Sequence, residues 1–431
     1  MASHLAASLS RMRDPVAEIL TYNGSFHPRW VASKVVKLTA SPFSFFRSTF
    51  HLFAADVRKG PFRAWPVAES SGRIVGDLHT ENFGTFRAVT GDIVYDINDF
   101  DETTAGPYEY DLRRLATSLL LTGLENGMRL GDGVNATETA ILSYLESVDR
   151  LGRFKRREEF EKEEAAESPE LKTLLKNAEE KSRPEFMRRL AREDESGSFR
   201  FAFDDVAKYR PVKTKVREEA NRRLPEFLKT CLAPKNAEPG KYTFQDVAER
   251  IAGAGSLGRE RYAILLGKGK KKESFETLRL VEWKQSLKSA FDAIPPRTTR
   301  KRAAEVYLLT RSFQLFPKRY LGSGTLFDLP MQAREIGSND DRFKGKQFQQ
   351  MDRFEAAART FGALTARAHL LGSADPRGPR ALFHEVLGQE RKFLHRVLGF
   401  AVAYTERVME DFEEVCARAG EIRKAWKVRA A

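Results

Sequence analysis

Val75-Gly76-Asp77-Leu78-His79-Thr80-Glu81-Asn82-Phe83-Gly84, followed by Tyr95-Asp96-Ile97-Asn98-Asp99-Phe100-Asp101-Glu102, decides how this chain reads. Apolar, strand-like residues flank both stretches, and Asp77 stands five positions before Asn82. Thr90-Gly91, between Phe86 and Ile93, predicts a hairpin turn that returns the chain to the second acidic cluster. Asp and Asn oxygens are hard ligands, suited to Mg²⁺ rather than zinc. Phosphoryl transfer uses such a set. One carboxylate orients or deprotonates the attacking hydroxyl, and an Asn and an Asp hold the metal at the nucleotide phosphates.

Working outward, Leu112, Leu115, Leu119 and Leu120 recur at helical spacing behind Pro107, which suits a first helical turn. From about Gly133 to Leu232 the chain reads as helical and heavily charged. Arg153 to Lys181 alternates basic and acidic residues and predicts an exposed helix laced with ion pairs. A Pro/Gly/Asn cluster over 233–240 marks a boundary. Beyond it, Asp246 to Ile251, Arg261 to Leu266 and Leu278 to Lys284 read as strands, with a charged turn over 268–273. Between the first two lies Gly253-Ala254-Gly255-Ser256-Leu257-Gly258. A glycine-rich loop inside a hairpin suits close backbone approach to phosphates, whereas a Rossmann site needs a helix directly after the loop. Arg302 to Phe316 and Phe354 to Trp426 read as helical.

The first stretch resembles the aminoglycoside and choline phosphotransferase branch of the protein-kinase-like superfamily. Those enzymes carry Gly-Asp-x-His-x-x-Asn, then Asp-Phe or Asp-Trp, a Gly and a Pro, and an Asp-Leu that opens a helix. Here these are Gly76 to Asn82, Asp99-Phe100, Gly106-Pro107 and Asp111-Leu112, with Val75 where the relatives usually have His. The spacing of twelve between Asp99 and Asp111 favours Asp99 over Asp96. The resemblance implies Asp77 as catalytic residue, Asn82 and Asp99 as metal ligands, and Asp111 as a brace for the catalytic loop. His79 is expected to pack and hydrogen-bond beneath that loop. Gly253, Gly255, Ser256 and Gly258 would cover the phosphates. Lys284 would pair with them as a kinase N-lobe lysine does, with Glu305 as candidate helical partner. The helix around Leu364-Thr365-Ala366-Arg367-Ala368-His369 is similar to one that precedes the catalytic loop in those enzymes. The motif order is that of a circularly permuted chain. The sequence is also similar to the bacterial domain-of-unknown-function family 2252. Ser41-Pro42-Phe43-Ser44-Phe45-Phe46-Arg47, the Gly76 to Glu102 block, Arg250 to Gly258, Lys284 and the Ala368-His369 helix carry that likeness. Ser48 replaces the Gly usual after this Arg, and Gln285 replaces a Glu.

Composition narrows the alternatives. Two cysteines in 431 residues exclude a disulfide scaffold or a cysteine zinc cage and fit a reducing compartment. No apolar run approaches a membrane span, and the N-terminus lacks the apolar core of a secretion signal. A cytoplasmic protein is the expectation. The formal charge of +13 is interleaved with acid, and no RNA-binding aromatic signature or finger spacing accompanies it. A nucleic-acid partner is therefore not expected.

The expected fold is α+β, a permuted kinase-like pair of lobes. Its expected segments are a catalytic-loop segment (1–126), a charged helical part of the same lobe (127–239), a β-rich nucleotide-binding segment (240–345) and a helical remainder (346–431). The expected activity is ATP- and Mg²⁺-dependent phosphoryl transfer to a small-molecule hydroxyl. The alternatives are a protein-modifying kinase or adenylyltransferase, and a nucleotide-binding pseudoenzyme.

Overall fold

The computed structural model describes residues 13–428 apart from 25, 28–29, 163–167, 206, 233–241, 254, 270–272, 344–347, 374 and 376. The boundary cluster over 233–240, Ala254 and part of the charged turn lie outside the described residues.

Four short strands frame the acidic stretches: β1 (Ser71–Ile74), β2 (Phe83–Arg87), β3 (Ile93–Ile97) and β4 (Thr104–Pro107). β1 pairs with β4 and β2 with β3, both antiparallel. Gly91 takes φ +107° at the β2–β3 turn, a left-handed conformation that favours glycine. Pro107 ends β4 and caps helix Tyr108–Glu125, whose Leu112, Leu115, Leu119 and Leu120 are fully buried. That helix packs on Leu130–Leu151, which lies along Met351–Gly372.

Ahead of this unit come four helices, Pro15–Asn23, Val31–Leu38, Pro42–Ser48 and Phe50–Arg58. Ser41 starts the third by accepting a hydrogen bond from Ser44 N (3.1 Å), with Pro42 in the first turn. Their phenylalanines join a core with helix Glu390–Ala417. Phe53, and Phe62 in the turn that follows, meet Phe400 and Tyr404 edge-on at centroid distances of 4.9–6.2 Å. The two ends of the described chain therefore share one core.

A second unit is built on a six-stranded antiparallel sheet. After the hairpin β5 (Ala191–Glu193) and β6 (Phe199–Phe201) come β7 (Tyr209–Arg210), β8 (Thr243–Arg250), β9 (Arg261–Gly267), β10 (Arg279–Gln285), β11 (Gly322–Leu326) and β12 (Leu329–Glu335). The sheet order is β11-β12-β10-β9-β8-β7. Tyr262, Ile264 and Leu266 face helix Thr214–Thr230, where Phe227 stacks on Trp283 at 3.7 Å. Ala263 and Leu265 face Phe199 and Phe201. With both faces covered, β9 is buried throughout and reads as a continuous apolar run. Helix Arg302–Phe313 connects β10 to β11 and packs against β11 and β12.

The all-helical reading of 133–232 needs correction. Residues 191–210 contribute three strands of two or three residues, too short to show a period, and β7 joins the large sheet. The helix expected over Arg153 to Lys181 is also divided, into Arg157–Lys162 and Pro169–Glu179. Ser168 accepts from Leu171 N and Pro169 follows, so a new helix begins there. Among the described residues no helix is long and apolar enough to cross a membrane.

Candidate functional site

The chain between β1 and β2 is held by a buried carboxylate. Asp111 accepts from Val75 N (2.7 Å) and Gly76 N (2.8 Å), and His369 Nε2 donates to it at 2.9 Å. His369 Nδ1 meets the Tyr144 hydroxyl at 2.8 Å. Asp111 and His369 are both fully buried. Gly76 adopts φ +88°, and a Cβ there would strike the Glu102 carbonyl. Only glycine lets the loop close on the second acidic cluster.

Asp77 follows directly. Arg114 holds Asp77 Oδ1 through Nη2 (2.7 Å) and Nε (3.1 Å), donates to Phe46 O (2.8 Å) and stacks over the Phe46 ring at 3.5 Å. Burial pushes the Asp77 carboxyl up to about 6, against the opposing pull of Arg114. The Asn82 amide nitrogen donates to Asp77 O at 2.5 Å, which leaves the amide oxygen as its acceptor. His79 is buried edge-on to Phe43, and its Nδ1 accepts from Glu81 N (3.2 Å). Burial and nearby arginines keep its imidazole far below the ordinary range.

The glycine loop joins β8 to β9, an antiparallel hairpin, and bends over the same place. Asp77, Asn82, Asp99, Gly253, Gly255 and Ser256 line one cavity of about 80 Å³. A Cβ on Gly255 would approach Arg47 O to 3.0 Å and Asp77 Oδ2 to 3.9 Å, so the loop lies against the catalytic-loop wall. Lys34 Nζ donates to Gly255 O at 3.0 Å, and burial beside Arg259 brings its amine down to about 7. Gly258 is separate from the cavity wall. It takes φ +108° against Phe26, whose ring atoms a Cβ would meet at 2.9 Å.

Lys284 does not line the cavity. It reaches from β10 behind the acidic wall, pairing with Asp99 Oδ2 at 3.4 Å and with Asp101. Burial favours neutral Asp101, but Lys284 and Arg259 outweigh it and hold the carboxyl below the usual range. Two residues before Lys284 on the same strand, buried Glu282 gathers Arg250, Arg261 (3.2 Å) and Arg334 (2.9 Å). Arg334 also donates to Asn98 O at 2.6 Å, fastening the sheet to the loop that carries Asp99. The carboxylate partners of Lys284 thus come from the 99–101 loop and not from a helix. Glu305 is corrected as its partner: the side chain is 53% exposed and pairs with Arg302 at 3.8 Å. Asp96 lies elsewhere, buried and paired with Arg367 at 3.0 Å.

Asn82 and Asp99 offer one amide oxygen and one carboxylate. That donor set fits Mg²⁺, which keeps most of its shell for phosphate and water. Among the described residues no group of three His, Cys, Asp or Glu side chains is placed to hold a metal ion by itself.

Sequence reasoning missed Arg114 and Arg259. Arg259 donates to Asp101 Oδ2 (3.0 Å) and Glu102 Oε1 (2.6 Å), closing the acidic cluster. The signal for Arg114 was visible: Arg113-Arg114 sits inside the leucine face of a buried helix, and buried arginines require partners.

The family model described as "Uncharacterized protein conserved in bacteria (DUF2252)" matches residues 27–418. The chain belongs to this family. The match spans three of the four N-terminal helices, the Asp77 loop, the glycine loop and most of the C-terminal helices. No curated protein and no solved structure matches the chain.

Proposed function

We propose that this member of the family is an ATP- and Mg²⁺-dependent phosphotransferase acting on a hydroxyl of a small molecule. One observation carries the reading: a glycine loop in an antiparallel hairpin faces Asp77, Asn82 and Asp99 across a single cavity. Further support comes from Lys284, on the third strand from that hairpin edge, which touches Asp99. The bracing of the Asp77 loop by Asp111 and His369 agrees with the same reading.

In this proposal the glycine-loop amides hold the triphosphate, Asn82 and Asp99 hold Mg²⁺, and Lys284 braces Asp99 from behind the cavity wall. The metal, when bound, neutralises charge on the phosphates. Asp77 Oδ1 is fixed by Arg114, so Oδ2 serves the acceptor. It takes the hydroxyl proton as the hydroxyl oxygen bonds to the γ-phosphorus and the bridge to ADP breaks. A cavity of about 80 Å³ is too small for a nucleoside triphosphate, so the glycine loop lifts on binding.

The test is Asp77→Asn. It should leave ATP binding within threefold of wild type and lower turnover by about 10²–10⁴-fold. Slow ATP hydrolysis or self-modification reports turnover before an acceptor is known, and mass spectrometry separates phosphoryl from adenylyl transfer. Equal hydrolysis by mutant and wild type removes Asp77 from this role. Tight ATP binding by a wild type that turns over nothing favours a pseudoenzyme.

A further inference from the structure

We infer that Arg47, delivered by helix Pro42–Ser48, is a catalytic residue whose guanidinium takes the negative charge gathering on the transferred phosphoryl group. This rests on the phosphotransferase reading. It assigns a role to the Ser41–Arg47 segment, which the nucleotide-binding and metal-binding parts leave unexplained.

Position comes first. Arg47 lines the same cavity as Asp77 and Gly255. Its carbonyl oxygen and Asp77 Oδ2 are the two groups nearest the free face of Gly255. The end of the helix, the glycine loop and the proposed base therefore meet at one point. A phosphoryl group passing from a loop-held nucleotide to a hydroxyl at Asp77 crosses that point.

Availability comes second. The other cations around the cavity are committed. Arg114 is spent on Asp77 and Phe46 O, and Arg259 on Asp101 and Glu102. Lys284 is held by Asp99 and Asp101, and Lys34 by Gly255 O. Arg47 commits Nη1 to Glu81, a carboxylate that Arg342 already shares at 3.0 Å. Its Nε is buried and has no hydrogen-bond partner. A buried donor without an acceptor is costly, and a phosphoryl oxygen supplies the acceptor. When Arg47 turns to the phosphoryl group, Arg342 still neutralises Glu81. A planar guanidinium suits the equatorial oxygens of a loose transition state better than an ammonium does.

Delivery comes third. Ser41 caps the helix and Pro42 presets its first turn, so Arg47 emerges at a fixed place in the last turn. Phe43, Phe45 and Phe46 are buried beneath it and hold the helix to the Asp77 lobe.

The experiment compares wild type, Arg47→Met and Arg47→Lys by calorimetry with Mg²⁺ and ADP, with and without aluminium fluoride, a mimic of the phosphoryl group in flight. Wild type should bind MgADP at least about tenfold more tightly with the fluoride. Arg47→Met should bind MgADP within threefold of wild type, lose the fluoride-dependent gain and lower turnover by about 10³-fold or more. Arg47→Lys keeps the charge and should also lose most of the gain; it serves as the second variant if Arg47→Met does not fold. A folded Arg47 variant with an undiminished fluoride effect and undiminished turnover overturns this assignment alone. A wild type that binds no MgADP overturns the phosphotransferase reading and this assignment with it.

Discussion

Replacing Asp111 by Asn tests the architecture without any assumption about chemistry. The two Asp111 oxygens accept three N–H groups, from Val75, Gly76 and His369, at 2.7–2.9 Å in a fully buried setting. Asparagine is the same size but presents one oxygen. Turned so that it keeps Val75 N and His369, it aims its NH₂ at Gly76 N–H, a donor against a donor. The change forfeits one charge-assisted bond, about 1.5–3 kcal/mol, and leaves a buried donor unpaired, about 1–3 kcal/mol. The sum is roughly 2.5–6 kcal/mol, a large part of a typical total of about 5–15 kcal/mol. Urea denaturation followed by tryptophan fluorescence reads this as a lower midpoint at unchanged slope. A cycle with His369→Phe should show a coupling of about 1–3 kcal/mol. A loss below about 1 kcal/mol for Asp111→Asn, or additivity with His369→Phe, would show that this carboxylate does not join the two segments.

Asp99→Ala should abolish the effect of Mg²⁺ on nucleotide binding: calorimetry of wild type shows tighter ATP binding with metal than with EDTA, and the variant shows none. The same affinity in all four titrations would count against Asp99 as ligand. Lys34 carries a pH prediction. Its amine is about 7 in the fold and 10.5 unfolded, so between those values the folded protein binds fewer protons, and this group adds stability as pH rises and withdraws it as pH falls. Lys34→Met should flatten the stability curve relative to wild type by up to about 1.4 kcal/mol per pH unit between pH 8 and 9.5. Parallel urea-midpoint curves across that range would refute it.

Much of this arrangement was legible in the sequence because its signals are local. The Thr90-Gly91 turn, the helix behind Pro107 and the strands on either side of the glycine run each rest on residues a few positions apart. Asp77, Asn82 and Asp99 could be placed on one loop system for the same reason. The convergence of Gly253 and Gly255 with Asp77 needed the family pattern, since nothing local joins positions so far apart. Side-chain pairing was harder. Lys284 was expected to meet a helical Glu, yet the 99–101 loop comes closer and brings two carboxylates. The partner of a buried charge depends on which backbone passes within a few ångströms, and spacing along a strand does not encode that. The strands over 191–210 were invisible because, at two or three residues, none repeats the two-residue alternation even twice. The contacts of Lys34 and Phe26 with the glycine loop were illegible too: Lys34 sits on a helix whose periodicity reports only a core face, and Phe26 lies in the connection before it.

The Asp111–His369 hydrogen bond spans 258 positions, and the Lys284–Asp99 pair spans 185. On a ribosome adding about 5–20 residues each second, Asp111 waits roughly 13–50 s for its histidine. Throughout that time the phenylalanine-rich helices from Pro15 to Arg58 also lack the Phe400 and Tyr404 rings that cover them. The nascent chain thus carries these apolar side chains uncovered for nearly the whole of synthesis, a state that invites chaperone binding and slow, non-local closure. The acidic residues of the cavity are made early, but the glycine loop follows about 150 residues later and the His369 partner of Asp111 later still.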